Sequence, residues 1–136
     1  MAEPSANAEL GDAAYGSDPR TVTYEAGESI TSGDAVTIDT NGELTPANSG
    51  DTNTDVVGIA AEDGSDGDNI SVYVEGRVVA NVATDVAAGE ELDASTTDGQ
   101  LATGTGGLVA LTDEGAVAGL SAGFGLAANA AVVEVR

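Results

Sequence analysis

The chain has 136 residues, room for one domain or one domain with a tail. Asp and Glu number 24 against 3 Arg and no Lys, a formal charge of -21, which excludes a phosphate-binding surface and repels anionic membranes. Cysteine and histidine are absent, so disulfides, thiol chemistry and nucleophile–histidine catalysis are excluded as well. Apolar residues make up 41%, too many for a simple disordered acid, but most are Ala and Val, so the core is expected to be thin and to want subunit contacts. Uniform acidity without lysine suits a high-salt environment, where the Debye length falls to about 3 Å and self-repulsion is screened. No run of about 18 apolar residues is present, and the first twenty residues lack the basic start and apolar stretch of a secretory signal.

Residues 1–20 read as an N-terminal arm. Two prolines, Pro4 and Pro19, and no clean period fit either a disordered tail or a segment that orders on a partner by adding a strand. In the second case Leu10 and Tyr15 are the apolar anchors and Arg20 the cationic one. From Thr21 the pattern turns to β. Thr21–Glu25 reads as a strand, and Ala35–Asp39 as another with Val36 and Ile38 on one face. Asn41-Gly42 is a hairpin signal, and Leu44–Ala47 pairs back with Pro46 marking an edge. Residues 48–55 form a polar loop.

The stretch from Val56 to Val82 organises the rest. Ile70, Val72 and Val74 alternate with Ser71, Tyr73 and Glu75, the period of a half-buried strand, until Gly76 breaks the run and Val78 and Val79 resume it. Asp63, Asp66, Asp68 and Asn69 crowd the glycine-rich turn before it. Oxygen ligands of this kind suit Ca²⁺ or Mg²⁺, although the spacing misses the EF-hand pattern because Val74 stands where a bidentate Glu belongs. A solvated acidic turn is the other reading, and no other cofactor is implied. Asn69-Ile70-Ser71 also fits the N-glycosylation pattern.

After Val82 the grammar repeats. Val86–Leu92 resembles Tyr24–Ile30, Thr97–Leu101 echoes Thr40–Leu44, Val117–Ala122 echoes Val57–Ala61, and Ala131–Val135 echoes Val72–Glu75. The expected architecture is all-β, two duplicated modules (21–82 and 83–136) packed face to face or closed into a barrel. Helix has little support beyond one short turn between residues 113 and 120. No lysine is available for a swinging-arm carrier, and no carboxylates gather beside sugar-stacking aromatics, so an enzyme is not expected.

Gly33-Asp34-Ala35-Val36, Val57-Gly58-Ile59-Ala60, Gly67–Gly76 and Val86–Leu92 together resemble the capsid decoration (head-stabilising or cement) proteins of tailed viruses. In that family a strand ends in a large residue–Glu–Gly step, followed by a short apolar strand and an Ala-Gly-Glu turn. The resemblance spans about residues 21–136 and, with lysine-free acidity, implies a virus of a halophilic archaeon. It implies a β-rich, barrel-like or tulip-like domain on the outer capsid surface of the virion. It also implies a homotrimer, with the arm reaching onto the major capsid protein and no nucleic-acid or membrane partner. The competing reading is a secreted or cell-surface β-domain of a haloarchaeon, an adhesive or surface-layer module.

Overall fold

The computed structural model describes residues 10–13, 18–50, 56–115 and 128–135. Nine strands follow in order: β1 Arg20–Glu25, β2 Ala35–Ile38, β3 Leu44–Pro46, β4 Gly58–Ala60, β5 Asn69–Asn81, β6 Glu91–Ala94, β7 Leu101–Thr103, β8 Leu108–Ala110 and β9 Ala130–Val135. No helix occurs among the described residues. The strands form one curled antiparallel half-barrel sheet in the order β3-β2-β4-β5-β9-β8-β6-β7, with β1 paired to β5 outside that path. The all-β, barrel-like class read from the sequence is therefore what the chain adopts.

The strand expected around Ile70 is longer than anticipated. Gly76 does not end β5; it turns the strand through a corner. Up to Glu75 the strand pairs with β1 and β4, and from Gly76 onward it pairs with β9. Gly76 takes φ +121°, and a Cβ there would lie 2.7 Å from Pro19 Cα. Only glycine tolerates both conditions.

This corner divides the sheet into two modules of identical wiring. In the first, β2 pairs with β3 and β4, and β4 with the first half of β5, which holds β1. In the second, β6 pairs with β7 and β8, and β8 with β9, which holds the second half of β5. Turn bonds repeat in the same places. Gly33 N–H donates to Ala60 O at 2.8 Å as Gly89 N–H donates to Ala110 O at 2.7 Å. The parallel bridge Ala26–Leu44 recurs as Val82–Leu101.

Three of the four sequence echoes need correcting. The turn Ala88-Gly89-Glu90 matches Ser32-Gly33-Asp34, not Ala26-Gly27-Glu28. Gly33 and Gly89 share a left-handed φ, +92° and +90°, whereas Gly27 does not. The counterpart of β4 is β8, Leu108–Ala110; Val117–Ala122 lies outside the described residues. The echo of Leu44 by Leu101 has the register that the sheet has. That of β9 with β5 holds with a slide of two residues, which keeps every side chain on its face: Ala110 faces Val133 as Ala60 faces Val72.

The core follows from the duplication. Ala26, Ile30, Val36, Leu44, Ala60, Ile70 and Val72 form one buried cluster in the first module. Their partners in the second, Val82, Val86, Leu92, Leu101, Ala110, Ala131 and Val133, lie together in the other cluster. That second cluster is larger because Ala35, Ala47 and Ile59, from the opposite face of the first module, close over it. Nothing among the described residues closes over the first cluster in the same way. Tyr24, Ile38, Val57 and Val74 pack against it only partly buried. Val78 and Ala80 are fully buried, yet their repeat partners Val22 and Tyr24 are half-exposed.

Candidate functional site

The arm residues lie in three different circumstances. Leu10 is half-buried, and its carbonyl accepts a 3.0 Å bond from Ser32 Oγ. Beside it Gly11 N–H donates to Val79 O, Val79 N–H donates to Asp12 O, each at 2.8 Å, and Ala13 bridges Val78. The segment thus adds to the outer edge of the second half of β5. Gly11 and Gly33 make the approach possible, since a Cβ on Gly11 would strike Ser32 Oγ and one on Gly33 would lie 2.5 Å from Leu10 Cβ. Burial, and after it the Asp12 carboxylate, push the Tyr73 phenol upward. Of the arm read from the sequence, Leu10–Ala13 thus pair with the chain's own sheet. Tyr15 lies outside the described residues. Arg20 is exposed on β1, its Nε 3.4 Å from Glu75 Oε1, with both side chains more than half accessible. Such a pair contributes at most about 1 kcal/mol.

The acidic turn before β5 is a built turn. Asp63 Oδ1 accepts from Ser32 N–H at 2.8 Å, and Asp68 Oδ2 from Ser65 N–H at 2.9 Å. Gly67, at φ +90°, passes its N–H to Ala26 O. Asp66 and Asn69 are exposed, Asn69 opposite Glu25 at the start of β5. Among the described residues no three acidic side chains are placed to hold a metal ion. The second module repeats the Asp63 bond without the acidic run: Asp113 Oδ1 accepts from Ala88 N–H at 2.9 Å. That recurrence marks Asp63 as a residue that fixes a turn. The sequon Asn69-Ile70-Ser71 has an accessible Asn and a buried Ile70 within a strand.

Carboxylates are crowded elsewhere. Burial raises the Asp34 carboxyl above its ordinary range, and the charges of Asp63 and Asp98 add to this; bonds from Thr31 N–H and the Asn81 side chain oppose it. Asp34 sits at the junction of the modules, where Asn81 N–H reaches Gly33 O and Ala35 N–H reaches Gly99 O. Glu43 is raised by desolvation and then by Glu25, Asp39 and Asp66.

The feature that sequence reading missed is the inequality of the two modules. The signal was present in Val78-Val79-Ala80 against Val22-Thr23-Tyr24: an apolar run marks a strand buried on both faces, and alternation marks one with an open side. No protein-family model matches the chain, and no curated protein is significantly similar to it.

Proposed function

We propose that the chain is a structural protein of a virion, binding the outer surface of a capsid lattice as an oligomer, a trimer by the family resemblance, and stabilising the head. The observation that carries this reading is the first module's shortage of cover. Its apolar face around Tyr24, Val74 and Ile38 is half-open where the second module's is closed by Ala35, Ala47 and Ile59. A body of small side chains that leaves apolar surface unfinished gains burial by assembling. The motifs behind the resemblance support it further. The Glu75-Gly76 step is the corner of the sheet, and the Ala88-Gly89-Glu90 turn leads into β6. The reading has no need of a catalytic residue, and its partners are the major capsid protein and further copies of the chain.

The test is co-sedimentation of the purified chain with undecorated capsids of a haloarchaeal tailed virus in molar NaCl. Saturable binding that raises the temperature at which the capsids rupture is expected; absence of binding overturns the reading. Deleting residues 2–9 leaves Leu10–Ala13 on β5 and isolates the remaining arm. Weaker capsid binding is the expected result, and undiminished binding removes the arm from the contact.

A further inference from the structure

Within each module the strands take the same places, so the two can be compared edge by edge. The second module runs β7-β6-β8-β9-β5 and then continues with Leu10–Ala13. The first runs β3-β2-β4-β5-β1 and, among the described residues, goes no further. Val79, which holds the arm through its N–H and C=O, has Thr23 as its repeat partner, for Thr23 faces Ser71 as Val79 faces Val132. Ser71 directs both main-chain groups away from β1: its C=O accepts from Ala61 N–H, and its N–H donates to Glu62 Oε2. Thr23 and Ser71 are therefore a non-hydrogen-bonded pair, and the N–H and C=O of Thr23 point outward. No main-chain partner for them occurs among the described residues, and Thr23 is exposed.

We infer that the outer edge of β1 is the contact surface for a second copy of this chain, through antiparallel β1–β1 pairing about a two-fold axis at Thr23. This deepens the proposed function, resting on its claim that the chain works as an oligomer, and it names a two-fold contact that joins copies in pairs, separate from the three-fold contacts within a trimer. The side chains fit the pairing. With Thr23 facing Thr23, Val22 of one copy lies beside Tyr24 of the other, on the face that is short of cover. Charge fits as well. In a chain of net charge -21, β1 carries one Arg and one Glu, at opposite ends. Antiparallel pairing brings the Arg20 end of each strand to the Glu25 end of its neighbour, with Glu25 facing Thr21 and no two carboxylates directly opposed. A head-to-tail stack of copies is disfavoured. The residues that cover the second core are Ala35, Ala47 and Ile59, and the corresponding positions on the back of the second module are Glu91, Gly104 and Val109. Such a stack would bury the Glu91 carboxylate, which is now exposed.

The test is sedimentation in molar NaCl of the full chain and of Thr23→Pro. Proline removes only an outward N–H here, so β1 keeps its bonds to β5. The assembly mass is expected to halve, with the β-sheet circular dichroism retained; an unchanged mass overturns the inference. Thr23→Cys gives an independent measurement in a chain with no other cysteine. Facing Cα atoms of a hydrogen-bonded pair are about 5.5 Å apart, within disulfide range. Mild oxidation is expected to give a covalent dimer, and a reactive thiol that yields none overturns the pairing even if the proline variant fails to fold. Capsid binding separates the two claims. Thr23→Pro that halves the mass while the parent chain ignores capsids sinks the virion reading alone. Capsid binding by the parent chain with an unchanged Thr23→Pro mass sinks the β1 contact alone.

Discussion

Replacing Gly76 with Ala tests the corner on which both modules depend. The residue holds φ +121°, a region that costs an L-residue about 1–3 kcal/mol. The new Cβ would also stand 2.7 Å from Pro19 Cα and 2.8 Å from Pro19 Cβ, so the chain leading into β1 must shift. Overpacking of that kind adds about 1–3 kcal/mol. Together the loss is about 2–6 kcal/mol, a large share of the ~5–15 kcal/mol that holds a domain folded. Thermal unfolding followed by circular dichroism in molar NaCl should register a fall of roughly 6–20 °C. Gly42→Ala is the matched control, at φ +81° with no heavy atom within 4 Å of the added Cβ. It carries only the backbone contribution, about 1–2 kcal/mol. If Gly76→Ala proves as mild as Gly42→Ala, the corner does not rest on contact with Pro19, and the account of how β5 serves two modules is wrong.

Melting temperature should climb steeply between dilute and molar NaCl, because a charge of -21 with three cations repels itself wherever screening is weak; a flat salt response would contradict this. For Asp34 the folded carboxyl binds its proton more readily than the unfolded one, so acidification through its folded pKa strengthens the fold and rising pH weakens it. Asp34→Asn, which can still accept from Thr31 N–H, should be more stable than the parent at neutral pH and should gain less on mild acidification; equal gains in urea titrations would remove Asp34 as the cause. Asp63→Ala and Asp113→Ala each delete one carboxylate bond to a turn N–H, and each should lower stability by about 0.5–1.5 kcal/mol in molar salt. A marked inequality between them would deny that the two turns are equivalent. Calorimetric titration of Ca²⁺ should give no saturable heat, given that Asp63 and Asp68 are engaged by main-chain N–H groups; a saturable heat lost in Asp68→Asn would make the turn a cation site.

Much of the fold is legible because local chemistry and tertiary demand agree. Asn41-Gly42 announces its hairpin, Pro46 its edge, and Ile70-Val72-Val74 its buried face, all from neighbouring residues. The repetition of the wiring is legible too, but only part of its register, that of Leu44 with Leu101, is. Ala26-Gly27-Glu28 and Ala88-Gly89-Glu90 share letters, while Ser32-Gly33-Asp34 shares the turn. What the turn requires is a left-handed glycine followed by a carboxylate that accepts the N–H three residues back: Asp34 does so for Thr31, and Glu90 for Ala87. Asp and Glu are interchangeable in that office, so identity of residues misled where identity of function would have guided. The candidate site was harder to see. That Val79 is capped by Leu10–Ala13 while Thr23 has no main-chain partner among the described residues depends on contacts far apart in sequence, which no local pattern encodes.

The thirteen residues of β5 close one module and open the next. Neither half can therefore be excised with its full complement of strands, and loosening one frays the other. Amide exchange along β5 should accordingly report a single shared opening on both sides of Gly76, and the duplicated halves should melt as one body.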